Sequence, residues 1–403
     1  MTLEPQYDIA VVGGGLVGAS LVLAIAAFAP EKNLRVLHVE ANLAASTALA
    51  SDERHLALNA FSWHTLTQLG VPLDASRCAP IRRVHISSRG DFGRVLLDAK
   101  QEGLSEFGRL VPASHLRAAL ESALAKCSSA WLSRQHGCRL IDLNTSAGDA
   151  AALTLESSNG AFTKARARLV VGCDGTNSSV RNFLINTDAA TRESNSFDYQ
   201  TSALSFNFKP EYDPADTAYE RFTESGPIAL LPLPNRRMGA VWTLASAPAA
   251  SALKLQGAEF LRQFQDAFGY RLGRFSALGQ RALWPLQRLR AQSDFGNRCV
   301  LIGNASQTIH PLGAQGFNLG LRDAIALAAV LENGDFELSA LQTFSRARVK
   351  DRASTLHFSD SSLVMTQNTT ALARLARSIA FTALETAPLA KRSLVRFGLG
   401  YVR

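Results

Sequence analysis

The side chains and backbone features suited to chemistry gather in short glycine-rich stretches, and the last of these, LIGNASQTIHPLGAQGFNLG at 301–320, holds the densest set. It places His310 beside Pro311 and spaces Gly313, Gly316 and Gly320 after them. An imidazole titrates near neutral pH and can relay a proton, and a carbonyl such as that of Pro311 accepts a hydrogen bond from a hydroxyl. A structural hydrogen-bonding histidine is the alternative reading of His310. Glycines at 313 and 316 let the backbone come close to a flat ligand. Asn304 and Asn318 each carry an uncharged donor and acceptor, and so can bind a hydroxyl or phosphate without repelling it.

The first stretch, YDIAVVGGGLVGASLVLAIAAF at 7–28, reads as a buried strand, a glycine turn and an apolar helix. Gly13, Gly15 and Gly18 form GxGxxG at that turn: the first for the bend, the second for backbone approach to a diphosphate, the third for close helix packing. The helix amino terminus would face the diphosphate with free N–H groups. NLRVLHVEA (33–41) supplies a second strand ending in Glu40, placed to accept from ribose hydroxyls. These residues suit NAD or FAD alike. Beyond Glu40, ASDERHLALNAFSWHTLTQLG (50–70) offers Arg54 as a phosphate or flavin contact, or as half of a surface ion pair.

The middle stretch, ARARLVVGCDGTNSSVRNFL at 165–184, is a strand, an Asp174-Gly175 turn and a helix start containing Arg181. Alone it is an ordinary turn. In order, the three stretches resemble the aromatic-hydroxylating flavin monooxygenases of the p-hydroxybenzoate hydroxylase-like fold. That family carries GxGxxG, then a DG motif, then Gly-Asp before a glycine-rich loop; this chain has Gly303-Asn304 at the last position. Arg117 in ASHLRAAL (113–120) is similar to the family arginine near the flavin, with an exposed helical arginine as the alternative. The stretches TIHPLGAQGFNLGLRD (308–323), VHISSRGDFG (84–93) and ERFTESGPIALLPLP (220–234) narrow the resemblance to ubiquinone-biosynthesis hydroxylases of the 2-polyprenyl-6-methoxyphenol type.

The resemblance implies FAD held by Gly13, Gly15, Gly18, Glu40, Arg54, Arg117, Asp174, Asn304, Gly313, Gly316 and Asn318, with His310 and Pro311 at the reaction. It implies reduction by NAD(P)H or a redox protein, and transfer of one oxygen from O2 to a polyprenylated phenol, 2-polyprenyl-6-methoxyphenol. Two other readings stand beside it: a flavin hydroxylase of another aromatic or lipid compound, and a non-catalytic flavin-holding subunit of a biosynthetic complex.

The elements that must position these residues define an α/β fold. A Rossmann-like FAD-binding domain is expected from 1–75, 103–183 and 286–350, a β-sheet substrate domain from 76–102 and 184–285, and a carboxy-terminal helical region from 351–403. The 403 residues, 47% hydrophobic and 19% charged, support more than one core. Five cysteines without a CxxC pair, and eight histidines without metal spacing, indicate neither disulfides nor a metal site. A net charge of +8 without basic runs or interleaved aromatics argues against nucleic acid. The uncharged span 9–29 is long enough for a bilayer, but its glycines argue for strand, turn and helix instead. Glu4 and Asp8 speak against a secretory leader, so a cytoplasmic protein is expected. The segment 371–403 sets six basic side chains against Glu385. That pattern suits either a helix packed on its own domain or peripheral contact with a membrane or with other ubiquinone-biosynthesis proteins.

Overall fold

The computed structural model describes residues 6–30, 34–43, 54–146, 148–187, 195–308, 315–367 and 370–400. The chain opens with strand β1 (Tyr7–Val12), helix α1 (Leu16–Phe28) and β2 (Val36–Glu40). Then come β3 (His55–Asn59), α2 (Ala60–Gln68), β4 (Ala79–Ile81), the hairpin β5 (Arg83–Ser88) and β6 (Arg94–Asp98), β7 (Gly108–Pro112) and α3 (Ala113–Leu124). Strands β8 (Leu132–His136), β9 (Cys138–Asn144), β10 (Ala151–Ser157) and β11 (Phe162–Gly172) lead into α4 (Ser179–Thr187). The next part holds β12 (Asn195–Pro210), β13 (Thr217–Phe222), β14 (Ile228–Leu233), β15 (Arg237–Ala245), α5 (Ser246–Lys254), α6 (Gly257–Phe268), β16 (Phe275–Ser276) and β17 (Ala282–Arg290). Short strands β18 (Phe295–Gly296), β19 (Cys299–Leu301) and β20 (Gln307–Thr308) precede α7 (Gln315–Leu331), α8 (Leu338–Gln367), α9 (Ala371–Thr386) and α10 (Pro388–Gly398).

The first and last parts of the chain share an eight-stranded sheet of order β18-β19-β11-β1-β2-β8, continued from β11 through β10 to β9. Its centre is parallel, with β1 between β11 and β2. Such strands are covered on both faces, and β1 shows why its sequence is a continuous apolar run. Ile9 and Val11 enter the core shared with α1, α3 and α7, whereas Ala10 and Val12 enter the opposite core under β9, β10 and α4.

A nine-stranded sheet of order β20-β17-β12-β15-β14-β13-β5-β6 forms the second layer, with β16 paired to β12. It is antiparallel apart from the β13–β5 pair. Helix α6 presents Phe260, Phe264 and Phe268 at four-residue spacing, and these rings pack with Phe206, Phe208 and Trp242 on one face. The opposite face turns toward the small β3-β7-β4 sheet, where Leu231 meets Ala57 and Leu110. Strand β20 belongs to the larger sheet, so the third glycine-rich stretch leaves directly from its edge.

The carboxy-terminal helices pack on their own chain. Phe381, Val395 and Leu399 join Val95, Leu97 and Phe222 over the β5–β6 hairpin. Asp91 pairs with both Arg374 and Arg377, Glu385 with Lys391, and Glu102 with Arg392. Among the described residues no helix is long and apolar enough to cross a membrane.

Candidate functional site

The glycine turn after β1 has three distinct steric environments. Gly13 adopts φ +110°, and a Cβ there would stand 2.5 Å from the backbone carbonyl carbon of Cys173. Its N–H donates to Val39 at 2.8 Å. A Cβ on Gly18 would collide with the Gly13 carbonyl, so α1 can lie this close to the turn only with glycine. Gly15 differs: a Cβ there meets nothing within 4 Å. It is also the residue that starts α1, where no side chain caps the helix. Free N–H groups and the positive end of the helix dipole therefore meet open space, an arrangement that attracts an anion. Glu40 stands beside this turn at the end of β2, one oxygen accepting from the Asn42 backbone at 2.8 Å and from its side chain at 2.7 Å.

The second stretch lies directly behind the first, since Cys173 donates its N–H to Val12 at 2.7 Å. Asp174 was expected to contact the cofactor, but its carboxylate faces the start of α4. It accepts from Ser178 Oγ at 2.5 Å, Ser179 N at 2.7 Å and Val180 N at 3.2 Å, which is helix capping by an acid. What the turn leaves free is backbone: Gly175, at φ +83°, has open space where a Cβ would be. Arg181, read only as part of the motif, proves to be a clasp. Buried one turn into α4, it donates to the Thr176 carbonyl at 2.6 Å and to the Ala305 carbonyl at 3.0 Å, tying the second stretch to the third. Thr308 Oγ1 adds a bond to Thr176 Oγ1 at 3.0 Å.

In the third stretch Asn304 is exposed between buried neighbours, and its side chain makes no hydrogen bond among the described residues. The adjoining Gly303 N–H donates to Asp323 Oδ2 at 3.3 Å, so the loop is pinned from below by α7. Asp323 is fully buried among arginines, accepting from Arg348 Nε at 2.7 Å and Arg352 Nε at 3.1 Å. Burial opposes its ionisation, but Arg352 and Arg348 outweigh burial and hold the carboxyl below its usual range. His310, Pro311 and Gly313 lie outside the described residues. Gly316, in the first turn of α7, has open space around its missing side chain.

Asn318 is engaged by the protein itself. It is 1% exposed, accepts from the Asn59 N–H at 3.1 Å and donates to the Ala57 carbonyl at 2.8 Å, so its amide holds α7 against β3. The two arginines sit at one end of the same region. Arg54 accepts the first N–H of α3, from Ala113, on its carbonyl at 2.8 Å, and its guanidinium lies 5.3 Å over the Trp284 ring of the larger sheet. Arg117 is half-buried one turn into α3, without an ion pair or hydrogen bond among the described residues. The open faces at Gly15, Gly175 and Gly316, the uncapped α1 and the unengaged Asn304 and Arg117 suit an extended, doubly anionic dinucleotide such as FAD.

Comparison with known proteins agrees with that fit. The profile of the FAD binding domain family matches residues 6–357. The chain is 32% identical to 3-demethoxyubiquinol 3-hydroxylase of Escherichia coli, covering 99% of this chain and 100% of that one. It is 28% identical to ubiquinone hydroxylase UbiL of Rhodospirillum rubrum, over 98% and 90% of the two chains. Among solved structures, p-nitrophenol 4-monooxygenase PnpA from Pseudomonas putida superposes with a TM-score of 0.76 over 99% of both chains at 16% identity, a likeness of fold.

Proposed function

This chain belongs to the FAD binding domain family and is an FAD-dependent hydroxylase; on that premise we propose that its substrate is a polyprenylated phenol of ubiquinone biosynthesis. The observation that carries this reading is the near-complete alignment, end to end, with two relatives named for hydroxylation in that chemistry. The ring position is a finer matter. The glycine-loop residues favour 2-polyprenyl-6-methoxyphenol, whereas the 32% identity with a 3-demethoxyubiquinol hydroxylase supports a later, more substituted ring.

Bound FAD would supply the electrons and the activation of O2 that no side chain provides. In our reading the chain's own tasks are holding and orienting. The Gly15 turn and the α1 amino terminus receive the diphosphate, and Glu40 accepts from the ribose hydroxyls. Asn304 bonds the ribityl and phosphate region, taking the place of the acid usual in the family. Arg54 and Arg117 complement the negative charge. His310 and Pro311 act at the reaction, and Gly313 and Gly316 let the backbone approach the flavin. Electrons come from NAD(P)H or from a redox protein.

The tail of such a substrate resides in a bilayer, and α9 exposes Leu372, Leu375 and Ile379 at i, i+3 and i+7, with Leu389 of α10 exposed nearby in sequence. We assign this stripe to peripheral contact with the membrane. Replacing the three α9 residues with serine should abolish flotation with anionic phospholipid vesicles while leaving flavin content intact; unchanged flotation rejects the assignment.

The function is tested by mass spectrometry of quinone lipids after deletion of the gene. A polyprenyl phenol one oxygen short of the next intermediate should accumulate, and its substitution pattern decides between the two rings. A normal ubiquinone pool with no such precursor would refute the reading.

A further inference from the structure

One acidic side chain of the larger sheet has no role in the architecture described so far. Strand β13 alternates its side chains between the two faces of the sheet. Tyr219 and Arg221 point toward α6, with the Tyr219 ring 6.0 Å from Phe268 and the Arg221 guanidinium 5.7 Å over the same ring. Glu220 therefore points the other way, on the face shared with Phe222.

That face is where the sheet meets the nucleotide-side elements. On one flank of Glu220, Phe222 and Ile86 cluster with Ala60 and Phe107, which immediately follow β3 and precede β7. On the other flank, Leu231 packs with Ala57 of β3 and Leu110 of β7. The residues paired with Glu220 across the strands are Ile86 on β5 and Ala229 on β14, so its lateral neighbours are apolar. Ala57 and Asn59, on the facing strand β3, are the residues that Asn318 ties to the start of α7. Glu220 thus stands across from the helix into which the third glycine-rich stretch runs.

The carboxyl is unusual for such a place. The side chain is half-buried, and its Oε1 is buried with no hydrogen-bond partner among the described residues. Among the described residues no charged neighbour compensates; burial alone acts on it and raises its pKa to about 8. A carboxyl oxygen buried without a partner costs stability. An apolar lining that carries one such polar group is the usual form of a ligand site, in which the polar group fixes orientation.

We propose that Glu220 is the substrate-orienting residue of this enzyme, hydrogen-bonding the ring hydroxyl of the phenol and so presenting its open ring carbon to the flavin. This assignment rests on the phenol reading given above. A neutral carboxyl both donates and accepts, so it matches a phenolic oxygen in either sense. Glu220 then discriminates a free phenol from its methyl ether, because the ether cannot donate to Oε1 and adds a methyl group where the bond should form.

The test uses the FAD-loaded full chain, with a farnesylated methoxyphenol and its methyl ether as probes and the perturbation of flavin absorbance as the binding signal. The wild type should prefer the phenol by about tenfold or more, the least expected when an analogue adds a methyl group to a fitted site. Glu220→Gln, which keeps a donor and an acceptor, should retain most of that preference. Glu220→Leu should lose it, binding phenol and ether alike, and should turn consumed oxygen into hydrogen peroxide rather than hydroxylated product. Leucine suits the apolar surroundings, so Glu220→Leu should fold, and flavin content checks this. A merely structural role would weaken both probes equally in the leucine variant. Retention of the full phenol preference by Glu220→Leu overturns the assignment and leaves the phenol reading standing. A wild type that binds no phenol overturns both.

Discussion

Single residues decide whether the dinucleotide can be held at all. Gly18 is the sharpest case: a methyl group there meets the Gly13 carbonyl, a backbone atom that cannot swing aside. Gly18→Ala should therefore lose stability and purify with little or no bound FAD, read from the ratio of flavin to protein absorbance, whereas Gly15→Ala, with open space around it, should fold with normal stability and lose FAD affinity alone, because its methyl group would enter the diphosphate's place. Equal, full flavin content in both variants would refute the packing role of Gly18. At this scale the sequence was partly legible. Spacing alone identified the roles of Gly13 and Gly18, because GxGxxG encodes a steric requirement. The uses of Asp174 and Asn318 were not legible, since each carries oxygen that serves a ligand or a neighbouring N–H equally well. Only the geometry shows Asp174 capping α4 and Asn318 bracing β3. Glu220 gave no signal in the sequence beyond lying in a recognised stretch, because its burial depends on strands far apart in the chain.

At the scale of elements, the three glycine stretches act as one unit because side chains behind them fasten one to the next. Arg181 joins the second to the third, and Asp323 joins the third to α7 and α8. Around Asp323 a buried set of ion pairs brings together Arg322, Arg348 and Arg352 with Asp294 and Asp351. Removing one partner from such a set leaves uncompensated charge in the interior. Asp323→Ala should cost about 3–5 kcal/mol in urea unfolding, since Arg348 and Arg352 would both lose a carboxylate. It should also lower FAD affinity, because the Gly303 N–H loses its acceptor. A loss below about 1 kcal/mol would mean that the cluster is solvated and not load-sharing. The alternating strands of the larger sheet and the apolar helix after Gly320 were readable from periodicity. The ion cluster was not, since arginines and aspartates on α8 look like a solvated helix face until α7 is placed against them.

The whole molecule combines a mixed sheet with a parallel centre, a largely antiparallel second sheet and a helical strap, and its stability should respond to pH through buried imidazoles. Burial, then Arg134, presses His38 down to about 4; burial, then Arg271, does the same to His85. In the unfolded chain both titrate near 6.5, so that state takes up more protons between about 6.5 and 4, and stability falls with pH across that window. Glu220 acts in the opposite direction, because its folded pKa of about 8 lies above its unfolded value and its contribution improves as pH falls. The melting temperature should therefore drop from pH 7 to pH 5, and drop more steeply in Glu220→Gln, as followed by thermal denaturation. A flat profile in that variant would show that neither histidine is buried in its neutral form. The helical strap packs on its own chain and also turns an apolar stripe outward, so the two readings of the basic carboxy-terminal segment are compatible.

The central claim, FAD-dependent hydroxylation of a polyprenylated phenol, is tested most directly in a single turnover. The FAD-loaded protein is photoreduced, which removes any dependence on the natural electron donor, and then mixed with 18O2 and the farnesylated methoxyphenol. The account predicts a ring-hydroxylated product carrying one 18O atom. Oxidation of the flavin with all the label in peroxide, and the phenol recovered unchanged, would contradict it.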